Sequence, residues 1–160
     1  MNQDLLIFLF TKILSTETLL VIISILLLDL IRCKKYRESL WLIFSTAVTA
    51  VLVITLKEYF AVARPDDALV LLDTYAFPSG HSTFAVFFAI VFWWYSRSVL
   101  FLSKKWLGVG LTALIFLVGY SRLFLQVHTA EQVLVGFILG AATGLAFIWG
   151  VKKKFGYIIK

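Results

Sequence analysis

The chain has 160 residues, 61% of them hydrophobic and 15% charged, with a mean hydropathy of +0.96 and a formal net charge of +6. That much apolar surface exceeds what one small water-soluble core can hide, and a bilayer is the solvent that fits. A nucleic-acid platform is excluded, because no basic stripe with interleaved stacking aromatics occurs away from the apolar runs, and the single cysteine, Cys33, excludes a disulfide framework.

Crossing about 30 Å of hydrocarbon takes roughly 20 apolar residues in a helix. The first apolar stretch, Leu5 to Leu14, is too short for that and predicts a short interfacial helix. The charge before it is Asp4 rather than a basic cluster, and no A-x-A-like site follows, so it does not read as a signal peptide. Five runs then predict spanning helices over Glu17 to Ile31, Leu40 to Phe60, Ser82 to Val99, Trp106 to Leu125 and Val133 to Val151. The expected architecture is an all-α polytopic bundle in which residues 1–160 form a single membrane-embedded domain.

Five spans put the connections on alternating sides. One side takes Arg32, Lys34, Lys35, Arg37, Arg97, Lys104, Lys105, Lys152, Lys153, Lys154 and Lys160, eleven of the fifteen basic residues, and is therefore expected to be cytoplasmic. Trp41, Trp93, Trp94, Trp106 and Trp149 fall at span ends on the same side, as an interfacial aromatic belt does. The expectation is an outer N-terminus and a cytoplasmic C-terminus, with the positive charge facing anionic headgroups.

Four basic residues remain: Lys12, Lys57, Arg64 and Arg122. The last three stand at outer span ends, where the orientation rule disfavours them, and they demand a specific reason. Around them the sequence reads KEYFAVARP (57–65), PSGH (78–81) and SRLFLQVH (121–128). All three stretches lie at one depth by the span count. They bring three cations and both histidines of the chain to one pocket, a set that suits phosphate.

The pattern Lys-x6-Arg-Pro, Pro-Ser-Gly-His and Ser-Arg-x5-His resembles the signature of the type-2 phosphatidic acid phosphatase superfamily. That family includes membrane lipid phosphatases, soluble bacterial acid phosphatases and vanadium haloperoxidases. The match runs from residue 57 to 132, with twelve residues between the first and second motifs and thirty-nine between the second and third. One position departs from it: where the family places an aspartate four residues after the last histidine, this chain has Gln132, preceded by Glu131.

The resemblance implies that His128 attacks phosphorus to give a phosphohistidine, while His81 protonates the leaving oxygen and then activates water. Lys57, Arg64 and Arg122 would bind the phosphate oxygens, helped by Ser79 and Gly80 where the third span begins and its backbone N–H groups are unpaired. Pro65 predicts that the second span ends near Ala63. Gln132 reads either as a neutral partner of His128 or as the last member of a capping box, Thr129 to Gln132, and Glu131 is the rival carboxylate partner. Three cations around two histidines disfavour a divalent ion, so neither metal nor other cofactor is expected.

The expected substrate is a lipid phosphate. Undecaprenyl pyrophosphate, phosphatidylglycerophosphate, phosphatidate and the 1-phosphate of lipid A are the candidates implied by the resemblance, with the site facing the periplasm from a bacterial inner membrane. Two rival readings stay open: a vanadate-dependent peroxidase, and a lapsed phosphatase retained as a lipid-binding or structural membrane protein. Gly136, Gly140 and Gly144 form a small-residue stripe that serves either packing within the bundle or a homodimer.

Overall fold

The structure, a computed structural model, describes residues 7, 11, 16–95 and 103–155. Apart from Ile7 and Thr11, the expected interfacial helix lies outside the described residues, as do Lys12, Arg97 and Lys160. Five helices follow in order: α1 Thr16–Arg32, α2 Tyr36–Phe60, α3 Gly80–Tyr95, α4 Lys104–Phe124 and α5 Ala130–Phe155. No strand occurs among the described residues, so the fold is all-α as expected.

Among the described residues, three stretches are long and apolar enough to cross a membrane: Tyr36–Phe60, Lys105–Phe124 and Ala130–Lys154. α3 has only 16 described residues, about 24 Å at the helical rise. Its neighbours account for its apolar character. α3 packs most extensively on α5 and also touches α4, α1 and α2, and Phe87, Val91, Ala85 and Phe88 are buried within the bundle. Meanwhile Val51 and Ile54 of α2, Phe116 of α4 and Ile138 of α5 face outward, as lipid-facing side chains do.

The α3–α5 contact is close because of glycine. A Cβ on Gly136 would stand 2.6 Å from the Ser79 carbonyl oxygen, and one on Gly140 would stand 2.2 Å from that of Thr83. Gly144 meets Ile90 in the same way, so the glycine stripe is taken up by α3 of its own chain.

α2 stops earlier than Pro65 alone suggests. It ends at Phe60, where Ala61 turns left-handed at φ 45° and its N–H bonds to the Lys57 carbonyl at 2.9 Å. The expected end near Ala63 is thus corrected by three residues: the αL cap reverses the chain before the proline acts. α4 ends in a Schellman motif centred on Gln126, φ 55°, with Gln126 N–H to Leu123 O at 3.0 Å and Val127 N–H to Arg122 O at 3.2 Å. That turn sets His128 just before α5.

The basic, tryptophan-bearing ends of the helices gather together. Lys152 lies 5.1 Å over Trp94, Lys153 4.8 Å over Trp149 and Lys154 4.8 Å over Trp41. Trp93 packs on Gly108 near the start of α4.

Candidate active site

The three sequence stretches meet at the other end of the bundle. Lys57 comes from the last turn of α2, Arg64 from the loop after it, His81 from the first turn of α3, Arg122 from the last turn of α4, and His128 from the turn before α5. His81 feels the charges of Arg122, His128, Arg64 and Lys57, which places all five groups around one volume. Arg122 is buried, with Nε donating to Ser121 Oγ at 3.0 Å. Among the described residues no three of His, Cys, Asp and Glu converge as metal ligands, so the donor set around the histidines is cationic.

Arg64 reaches across this volume. Its Nη1 donates to the Val127 carbonyl at 2.8 Å and lies 3.4 Å from His128 Nε2. The other edge of the guanidinium is held by Thr74, through Nε to its carbonyl at 2.8 Å and Nη2 to its hydroxyl at 2.9 Å. Lys57 Nζ donates to the neighbouring Tyr75 carbonyl. The loop before α3 therefore aims two of the three cations. Sequence reasoning passed over Thr74 and Tyr75, and a loop carbonyl leaves no residue-type signature to find.

His128 is held from behind. The Thr129 N–H donates to Gln132 Oε1 at 3.2 Å, and the Gln132 N–H donates to Thr129 Oγ1 at 3.4 Å, so the capping box is formed. The same Oε1 lies 3.1 Å from His128 Nδ1. A backbone N–H can only donate, which identifies the amide atom facing it as the oxygen, and an oxygen facing Nδ1 requires the proton on Nδ1. The lone pair is then on Nε2, the nitrogen turned toward Arg64. The capping and partner readings of Gln132 are one arrangement. Glu131 is exposed and does not occupy this place.

Burial, then the Arg64 charge beside it, holds the His128 imidazole down at about 4, against partial compensation from the Gln132 hydrogen bond. Burial also pulls the Arg64 guanidinium below its ordinary range. His128 is therefore neutral at pH 7 with Nε2 unprotonated.

Ser79 departs from the expected role of an open anion-binding amide. Its N–H donates to the Gln132 carbonyl at 3.2 Å, its hydroxyl accepts from Ser82 at 2.9 Å, and its carbonyl accepts from Thr83. It ties the start of α3 to the start of α5. Gly80 opens α3 with Val53 at 3.5 Å from where a Cβ would be, an ordinary contact.

A profile of the PAP2 superfamily matches residues 38–155. The chain is 37% identical over 116 residues to dolichyldiphosphatase 1 of Dictyostelium discoideum, covering 69% of this chain and 48% of that protein. It spans about half or less of the length of the curated relatives it matches. Among solved structures, the transmembrane PAP2 type phosphatidylglycerolphosphate phosphatase of Bacillus subtilis superposes with a TM-score of 0.84 at 27% identity, covering 99% of this chain and 79% of that one. LpxE of Aquifex aeolicus superposes with a TM-score of 0.64 at 28% identity, covering 91% and 85%.

Proposed function

The chain belongs to the PAP2 superfamily, and on that premise we propose that it is a membrane phosphatase that removes the terminal phosphate from a lipid through a phosphohistidine. One observation carries the reading: His128 presents an unprotonated Nε2 to a volume ringed by Arg64, Lys57, Arg122 and His81, with Nδ1–H fixed by Gln132.

The phosphate would enter among the three cations, which spread its charge as the transition state forms. Nε2 forms a bond to phosphorus while the bond from phosphorus to the lipid oxygen breaks; His81, held down at about 3 by burial and then by the Arg122 charge, takes up a proton as the phosphate dianion arrives and gives it to that oxygen. Water then attacks phosphorus, the P–N bond breaks, and the water's proton returns to His81. The sum is lipid phosphate and water going to lipid alcohol and inorganic phosphate; with a diphosphate the departing lipid keeps one phosphate. The Gln132 oxygen stabilises the imidazolium as a dipole where an aspartate would do so as a charge. Ser79, bonded on all sides within the protein, braces the turn that carries His81. No step calls for a metal.

The lipid nature of the substrate is supported by the outward apolar faces around the site and by the relatives, whose names cite a dolichyl diphosphate and a phosphatidylglycerophosphate. The concentration of basic residues and tryptophans at the opposite end supports a bacterial inner membrane with the histidines facing the periplasm and the C-terminus in the cytoplasm.

The test is phosphate release by the purified chain from a panel of polyprenyl diphosphate, phosphatidylglycerophosphate and phosphatidate, with EDTA present. His128→Ala should abolish release, His81→Ala should nearly do so, and orthovanadate should inhibit. More than a tenth of the rate remaining in His128→Ala removes it as nucleophile. No release from any lipid by the parent chain favours the lapsed-phosphatase reading.

A further inference from the structure

At the end of the bundle away from the histidines, Arg37, Leu40, Trp41, Phe44 and Lys154 surround an open pocket of about 420 Å³. Trp41 and Phe44 also wall a second hollow of about 270 Å³, which continues between α2 and α5 past Ser45, Val48, Thr143 and Ala146. The shared wall is firmly built. Gly150 admits the indole against α5, where a Cβ would lie 2.3 Å from it, and Trp41 Nε1 donates to the Phe147 carbonyl at 3.1 Å. Phe44 stacks on Trp41 with ring centroids 5.5 Å apart, and Lys154 lies over the indole. A cationic mouth and an almost wholly apolar trough that runs toward the middle of the bundle thus adjoin across the Trp41 and Phe44 rings.

We propose that these two adjoining hollows together are a non-catalytic seat for one anionic phospholipid, with its phosphate between Arg37 and Lys154 and one acyl chain laid over the Trp41 and Phe44 rings into the trough between α2 and α5. Two features single out this occupant. The paired cations at the mouth complement a headgroup phosphate at the interface, where basic side chains attract anionic lipid. The trough begins at the same wall and supplies only apolar contact and three hydroxyl-bearing side chains, of which Thr49 donates to the Ser45 carbonyl and Thr143 to those of Leu139 and Gly140. A zwitterionic lipid would bring a cation of its own to that mouth, and a soluble anion would leave the trough unused. The seat lies at the α2 start and the α5 end, whereas the candidate active site lies at the α2 end and the α5 start.

Native mass spectrometry of the full chain, released from detergent after mixing with equal phosphatidylglycerol and phosphatidylcholine, reads the seat directly. Phosphatidylglycerol is a phosphodiester and offers the proposed phosphatase no terminal phosphate. The parent chain should retain it at least fivefold over phosphatidylcholine. Arg37→Ala with Lys154→Ala should erase that preference, and Ala146→Phe, which fills the trough at unchanged charge, should lower retention of phosphatidylglycerol about tenfold. All three positions are exposed, and the melting temperature in detergent verifies that the variants fold. Glycerophosphoglycerol, the same headgroup without acyl chains, should fail to displace the lipid. Equal retention of the two lipids, full preference in the double variant, unchanged retention in Ala146→Phe, or displacement by the tailless headgroup each overturns the proposal.

Discussion

Thr74 grips Arg64 twice, its carbonyl accepting from Nε at 2.8 Å and its hydroxyl from Nη2 at 2.9 Å. The guanidinium is thereby held with Nη1 turned toward the Val127 carbonyl and His128 Nε2. Thr74→Val removes one of the two acceptors and keeps the shape. A hydrogen bond to a charged group contributes about 1.5–3 kcal/mol when buried, and this one is partly solvated, so about 1 kcal/mol is expected. KM for a lipid phosphate should rise about fivefold with kcat changed less, and Thr74→Ser should restore it.

His128 should stay neutral well into the acid range. NMR titration of labelled histidine, assigned with His128→Asn, should give a midpoint near 4 for the free enzyme. Inorganic phosphate should raise it, because the anion offsets the repulsion from Arg64 and Lys57. The unfolded chain takes up this proton near 6.5, so unfolding binds a proton between about 6.5 and 4. Stability should fall as pH drops through that window and be unaffected by this group above it. A midpoint at 6.5 in the folded protein would contradict the burial of the ring.

The double use of Gln132 separates length from charge. Gln132→Ala loses both the cap and the histidine's partner, and should cost about 1 kcal/mol of stability together with most of the turnover. Gln132→Glu keeps both reaches and adds charge beside the forming imidazolium, so its rate should match or exceed the parent's. Gln132→Asp is a shorter test of the same charge, and the rate should be preserved wherever the carboxylate still reaches Nδ1. Glu131→Gln should stay within about twofold, since Glu131 is exposed. Rates and melting temperatures for the four variants read the outcome.

Gly140→Ala should be strongly destabilising, by about 1–3 kcal/mol, because the neighbouring atom at 2.2 Å is the backbone carbonyl of Thr83 and cannot rotate away. Gly110→Ala in α4 is the control: nothing lies within 4 Å, and alanine favours the helix, so stability should hold or improve by up to about 1 kcal/mol. Thermal unfolding in detergent compares them.

Membrane sidedness is testable with the chain's own thiol. Cys33 is exposed at the turn between α1 and α2, and Leu71 is exposed in the loop that carries Thr74. An impermeant maleimide should label Cys33 and, in a Cys33→Ser background, Leu71→Cys from opposite sides of the membrane. Labelling from one side would reject the proposed orientation.

The sequence made the helical runs legible and singled out the five charged or titratable residues that the fold gathers at one end, because apolar length and misplaced charge are both local signals. Gln132 was legible as two competing readings, and only geometry showed that a single oxygen serves both. The ends of the helices were harder. Three reversals use a left-handed residue that is not glycine, Lys34, Ala61 and Gln126, and without glycine the sequence carries no mark of them. The apolar run of α3 was equally ambiguous: a helix surrounded by other helices and one surrounded by lipid have the same composition. The carbonyls of Thr74, Tyr75 and Val127 were invisible for the simplest reason, that every residue has one.

The bond from Ser79 N–H to the Gln132 carbonyl, with Gly136 closed against Ser79, makes the PSGH turn and the turn that carries His128 a single jaw. Neither histidine's support can shift without the other. The opposing jaw is the segment after α2, which carries Arg64 and hangs Lys57 from its Tyr75 carbonyl. Through Leu69 N–H to the Leu125 carbonyl and Arg64 Nη1 to that of Val127 this segment is tied to the same turn, so a displacement of it would carry both cations and pull on the support of His128 together.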